Sequence, residues 1–373
     1  MTQNSLPKTQ NSRLLSLDVF RGITIAAMIL VNDPGDWGHI YAPLEHSAWN
    51  GCTPTDLVFP FFLFMVGVSI VYAMESRKAS GENQSRMILT ALRRMVVLML
   101  ITWCTQVILR WNFDLSKLRL PGVLPRIALV YFICTVLYLK TSQKTRDWVF
   151  VIALVGYYLL MTFVPVPGVG YANLEPETNL GAWIDRTLLT PDHLWRSSRT
   201  WDPEGLLGTL PAIGTGLFGI RVGTWLKRKD RDDSIKVSWM FTYGVIAALL
   251  ALFWDLFFPI NKALWTSSFV LYTGGLATIG LAICFWLIDV QGHKRFTYPF
   301  VVFGTNAIAA YVLSGFIPHY YNLIKWDGKS IYEHLFVPYF SPVNASLLGA
   351  ILIVLILWLV MWVFYTRKIF IKI

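Results

Sequence analysis

Runs of about twenty apolar residues recur ten times along this chain, and no other feature restricts its fold as tightly. They cover roughly residues 14–31, 56–75, 92–109, 123–139, 148–164, 205–226, 238–258, 266–289, 297–317 and 345–366. A run of that length matches the hydrocarbon core of a bilayer, where nothing outside the chain can bond to the peptide group. Each run must therefore satisfy its own N–H and C=O groups, as an α-helix does. Composition agrees. Only 14% of the 373 residues are charged and 55% are hydrophobic, whereas a soluble domain carries about a quarter charged residues. The expected fold is an all-α integral membrane protein, a bundle of about ten transmembrane helices with long outer loops after helices 1, 5 and 9. Residues 1–12 are polar and are expected to form a disordered cytoplasmic N-terminus, with residues 13–373 a single transmembrane domain. The first run holds Asp18 and Arg21 and is followed by no small-residue cleavage site, so it reads as an uncleaved helix.

Orientation follows from where Lys and Arg fall. With the N-terminus inside, segments between runs place 20 of them inside and 10 outside, and Arg21 and Arg221 lie within runs. That bias predicts both termini in the cytoplasm. It also explains a net charge of +10 through basic loops beside anionic lipid. No basic tract interleaved with aromatics lies outside the runs, so nucleic acid is not an expected partner. The four cysteines form no C-x-x-C pair, and the six histidines show no metal-ligand spacing, so no metal is expected.

Polar residues gather in a few places. Asn32 closes the first run, and the loop after it holds Glu45-His46-Ser47-Ala48-Trp49-Asn50-Gly51 before Asp56 opens the second. A histidine is the natural general base near neutral pH, and an amide such as Asn32 can orient it or hold an oxyanion. Trp49 and Asn50 offer a ring to stack on a sugar and an amide to bond its hydroxyls. The plainer alternative is a loop folded by its own side chains, with Asp56 as a first-turn acid at the helix dipole. Asp18 and Arg21, at i and i+3, share one helix face. They form either a wall of a cytoplasm-facing cavity or a structural ion pair. Arg126 could neutralise a phosphate or snorkel to the interface. Asp202 and Glu204 open the sixth run, as helix-start acids or as partners of a substrate amine or hydroxyls. Asn306, in the ninth run, is expected to bond another helix.

These stretches also carry a resemblance. Leu17-Asp18-Val19-Phe20-Arg21-Gly22, His46-Ser47-Ala48-Trp49-Asn50-Gly51 and the segment from Asp56 to Gly67 resemble the heparan-alpha-glucosaminide N-acetyltransferase family. So do Pro121 to Ile127, Asp202 to Pro211 and Gly304-Thr305-Asn306-Ala307-Ile308, in the same order along the chain. The resemblance implies a membrane acyltransferase that carries acetyl from cytoplasmic acetyl-CoA to the amino group of a glucosamine across the membrane. The family's catalytic histidine corresponds to His46 and its asparagine to Asn32, with His46 as general base or transient acetyl carrier. Trp49, Asn50, Asp202 and Glu204 are the expected substrate contacts. Arg126, Asp18, Arg21 and Asn306 are the expected acetyl-CoA contacts. Compared with the lysosomal member, the Asn32–His46 stretch is longer, and a large amino-terminal luminal domain is expected to be missing. A free or short amino sugar, or a cell-envelope glycan, is then the expected acceptor. The expected setting is a bacterial inner membrane, with lipid and a second copy of the chain as further partners. Two rivals stand beside this reading: a sugar transporter or permease, and a glycan O-acetyltransferase of the same fold.

Overall fold

The computed structural model describes residues 14–110 and 113–371, so the expected disordered segment 1–12 lies outside the described residues. Its helices run α1 Leu15–Asn32, α2 Pro54–Ala79, α3 Gln84–Arg110, α4 Val123–Lys140, α5 Gln143–Phe163, α6 Leu180–Leu189, α7 Thr209–Leu226, α8 Asp233–Asp255, α9 Ser267–Phe285, α10 Tyr298–Thr305, α11 Ala307–Leu323, α12 Ile331–Leu335 and α13 Pro342–Thr366. Five π-helical residues, Trp286–Val290, extend α9. A two-residue antiparallel ribbon, Lys325–Trp326 with Lys329–Ser330, sits before α12.

Among the described residues, eight helices are long and apolar enough to cross a bilayer: α1, α2, α3, α4, α5, α8, α9 with its extension, and α13. The bent pair α10–α11 makes a ninth if taken as one span. The expected count of ten is therefore not reached by length and apolarity. The difference is α7, the sixth expected run. It carries Arg221 and glycines at 214, 216, 219 and 223, and it packs against α2, α4, α5 and α9. A helix enclosed by other helices needs little lipid-compatible surface, so its composition can fall below the membrane norm. The glycines set how close it comes. A Cβ on Gly219 would sit 2.0 Å from the Phe64 carbonyl oxygen, and one on Gly67 2.1 Å from that of Gly216. α2 and α7 thus meet backbone to backbone at the centre of the bundle.

The expected ninth helix, 297–317, is not continuous. α10 and α11 are bent by 85° at Asn306, whose backbone leaves helical geometry at φ −126°, ψ 40°. The Asn306 side chain at this break bonds the segment after α13 and not another helix: its Nδ2 donates to the Ile369 carbonyl at 3.0 Å and its Oδ1 accepts from the Ile371 N–H at 3.0 Å. α10 also lies against α1. A Cβ on Gly304 would meet the Asp18 carbonyl oxygen at 2.0 Å, and one on Gly22 that of Phe300 at 1.8 Å. The loop after α5 contains its own helix, α6, capped by Asn179, whose side chain accepts from the Ala182 N–H at 2.9 Å. The sixth span begins at Thr209, because residues 202–208 form turns held by side chains.

Candidate active site

α2 starts at Pro54, and Asp56 in its first turn closes the end with a reciprocal cap. The Thr53 N–H and hydroxyl donate to Asp56 Oδ2 at 3.0 and 3.1 Å, and the Ser47 N–H adds a third bond at 3.1 Å. That cap leaves Oδ1 facing His46 Nδ1 at 2.7 Å. Held by the Ser47 and Thr53 N–H groups, the ionised Asp56 only accepts, so its contact favours the His46 tautomer with the proton on Nδ1. Asp56 is 1% exposed, while the His46 side chain is 45% exposed. The acid is buried and fixed, and the imidazole it orients is open to solvent.

A third member comes from the α8–α9 connection. There Asn261 folds the chain on itself, with Oδ1 accepting from the Leu264 N–H at 2.8 Å. Its Nδ2 donates to Asn50 Oδ1 at 3.1 Å, and the Gly51 N–H donates to the Ile260 carbonyl at 2.7 Å. The histidine loop and this turn are therefore stitched together. The stitching brings Lys262 Nζ to 3.0 Å from His46 Nδ1, 3.3 Å from Nε2 and 3.5 Å from Asp56 Oδ1. Burial pushes the Lys262 ammonium below its usual range, and the Asp56 charge opposes that. No sequence signal points to Lys262, which is 216 positions from His46. Asp56 was visible only as a helix-start acid.

Next to this trio, Arg119 forks onto two acids. Its Nε and Nη2 donate to Asp202 at 2.8 and 2.6 Å, and Nη2 also to Glu204 at 2.5 Å. The paired carboxylates hold its guanidinium well above the usual range despite burial. Asp202 and Glu204 are thus engaged within the protein. Arg126 is fully buried, donates to the Pro203 and Gly205 carbonyls at 3.0 and 2.8 Å, and lies over the Trp265 ring. It braces the 202–205 turn and lines neither of the two cavities described below. Trp49 donates to the Leu174 carbonyl at 3.0 Å and meets Trp201 edge to face, tying the histidine loop to the long loop after α5.

Asn32 lies elsewhere. With Asp33, Gln106, Arg119, Leu124, Tyr311 and Val312 it lines a cavity of about 340 Å³. Among the described residues its amide has no hydrogen-bonded partner, and His46 is not part of that wall. Arg119 and Glu204 join the two places: Arg119 lines the cavity, and Glu204 acts electrostatically on both Lys262 and Tyr311.

Toward the opposite face is a second cavity of about 280 Å³, lined by Arg21, Ser69, Arg94, Tyr131 and Asn306 among others. Arg21 donates to Asp18 at 3.1 Å, to Ser69 at 2.8 Å and to the Gly304 carbonyl at 3.3 Å. Asp18 is buried beneath it. The two cavities lie end to end. On α3 they are lined by Leu98 and then Thr102, on α4 by Ile127 and then Leu124, and on α11 by Ile308 and then Tyr311. Each step is about one helical turn. Among the described residues no group of three or more His, Cys, Asp or Glu is placed to hold a metal ion.

These features define a multi-pass membrane protein with a histidine–carboxylate pair at one face and an arginine-lined cavity toward the other. Its family is the one described as heparan-alpha-glucosaminide N-acetyltransferase, catalytic, which matches residues 13–258; the chain belongs to it. Heparan-alpha-glucosaminide N-acetyltransferase of Homo sapiens is 31% identical over 417 aligned positions, covering 97% of this chain and 60% of the human protein. The Mus musculus protein of the same name is 30% identical, covering 98% of this chain and 62% of its own length. The chain thus spans less than two thirds of the relatives it matches.

Proposed function

We propose that this protein moves an acetyl group from cytoplasmic acetyl-CoA to the amino group of a glucosamine-type sugar at the His46 face, in a bacterial plasma membrane. The observation that carries this reading is the end-to-end pair of cavities. Together they would let a thin, flexible thioester arm run along α3, α4 and α11 between the two faces. Acetyl-CoA is highly anionic, and Arg21 and Arg94 at the entrance would favour it. The reading requires the thioester to reach past the Asn32 cavity to His46, with Asn32 Nδ2 donating to the carbonyl oxygen as it gains charge. The sugar nitrogen attacks the carbonyl carbon, the C–S bond breaks, and His46 Nε2 takes the nitrogen's proton and returns it to the departing thiolate. Asp56 keeps His46 in the tautomer this needs. A version with an acetyl-histidine intermediate uses the same Nε2 as nucleophile. Both relatives are mammalian, and the bacterial setting is our own assignment.

The test is transfer of labelled acetyl from acetyl-CoA to glucosamine by purified protein. His46→Ala should lower kcat by about 10²–10⁴-fold, the usual contribution of a positioned base, with acetyl-CoA binding retained. Undiminished turnover would remove His46 from the chemistry. One observation favours transport instead: a broken span such as α10–α11 is a common transporter feature. Uptake of sugar without any acetyl donor, with no transfer detected, would move the assignment there.

A further inference from the structure

Among the described residues, two buried acceptor oxygens in the cavity of Asn32 have no partner: Asp33 Oδ2 and Gln106 Oε1. Both residues line the same 340 Å³ cavity. Buried acceptors are nearly always bonded, so two orphans on one wall mark a place made for a donor. Gln106 is aimed by its own amide, whose Nε2 donates to the Arg119 carbonyl at 3.0 Å. The charged neighbours do not supply the missing donor. Arg119 is committed to Asp202 and Glu204, and burial pushes the Asp33 carboxyl up to about 7. Tyr311 of α11 faces Asp33, Arg119 and Glu204, and Thr102, Thr105 and Ser314 add hydroxyls to the wall. A ligand that satisfies this wall brings one cationic donor and several neutral ones, as an amino sugar does.

We propose that Asp33 and Gln106 form the subsite for the acceptor's ammonium group, and that Asp33 takes the first of the two protons this group must lose. The proposal rests on the acyl-transfer reading for its second half. At neutral pH an amino sugar arrives largely as R–NH3⁺, and forming the amide removes two protons from nitrogen. One base next to the thioester handles only one of them. The first passes to the Asp33 carboxylate and leaves R–NH2, whose lone pair attacks the acetyl carbon. The second passes through His46 to the thiolate, giving CoA–SH. Asp33 then releases its proton to solvent, so each turnover yields amide, CoA–SH and one proton. A carboxyl that titrates near neutrality suits this exchange, since its driving force is small in both directions.

The first experiment is calorimetric binding of glucosamine, glucose and N-acetylglucosamine to purified protein without acetyl-CoA, above the Asp33 midpoint. Wild type should prefer glucosamine, and Asp33→Asn should weaken that binding about 10-fold or more, as expected for loss of a charge-assisted bond. The second is the pH profile of kcat/KM, whose acidic limb should be steeper in wild type, where Asp33 and the base at His46 must both be free of protons, than in Asp33→Asn. Gln106→Leu should raise KM and keep the limb. Unchanged glucosamine binding in either variant overturns the subsite, whichever of the two folds better. An acidic limb as steep in Asp33→Asn as in wild type overturns its proton role. Selective, Asp33-dependent glucosamine binding with no acetyl transfer by wild type keeps the subsite and sinks the acyl-transfer reading.

Discussion

At the scale of single residues, the site is organised by carboxylates in different states. Asp56 is surrounded by donors, whereas Asp33 keeps one oxygen buried with no partner among the described residues. Their consequences differ. Asp56→Asn keeps the side chain's shape but presents Nδ1 of His46 with an amide that can force the other tautomer. It should lower kcat by about 10²-fold or more, as loss of tautomer control does in histidine-dependent acyl transfer. Turnover near wild type would mean that Asp56 only caps α2. Asp33 makes a pH prediction with a definite sign. Its folded-state pKa of about 7 lies above the ordinary 3.8, so the folded protein holds this proton more tightly than the unfolded chain. That stabilisation is complete below about 4 and is lost as pH rises through about 7. The melting temperature of wild type should therefore fall over this window more steeply than that of Asp33→Asn. Equal slopes would show that Asp33 is not charged at a cost in the folded state.

At the scale of helices, glycine decides which pairs approach closely. α2 with α7, and α1 with α10, meet where a Cβ would land within about 2 Å of a facing carbonyl oxygen. Gly67→Ala and Gly22→Ala should each destabilise the protein by roughly 1–3 kcal/mol, the cost of overpacking a rigid interior. Gly156 of α5 has nothing within 4 Å of its Cβ position. Gly156→Ala should instead stabilise by about 0.5–1 kcal/mol through helix propensity. Thermal melting in one detergent reads all three, and a loss in Gly156→Ala as large as in Gly67→Ala would overturn the account. The same contacts explain why α7 escaped the apolarity expected of a span. Its glycines are tolerated because other helices, not lipid, surround much of it, and the exposed Arg221 is paired with Asp147 at 3.5 Å. The sequence around Asn306 reads as one apolar run, and nothing local shows that residues 369 and 371 will be there to bond it.

At the scale of the whole molecule, the charge bias makes a topological prediction. A cysteine placed at Tyr171, in the loop after α5, should react with a membrane-impermeant thiol reagent added to intact cells. A cysteine at Lys229, between α7 and α8, should react only after permeabilisation. The reverse pattern would invert the proposed direction of transfer. Much of this level was legible in the chain alone. Apolar runs, loop charges and the motifs around His46, Asp202 and Asn306 depend on neighbouring residues, and a bilayer reads such local properties directly. They were enough for the class of fold, the family and the loop that carries the histidine. The partnerships inside the site were not legible there. Lys262 reaches His46 through a turn stitched to its loop by Asn50 and Gly51, Arg119 reaches Asp202 and Glu204 across eighty-odd positions, and the cavity beside Asp33 exists only where α1, α3, α4 and α11 converge. Contacts between distant segments depend on how close helices can pack and which polar groups burial leaves unpaired, and only the assembled bundle determines those.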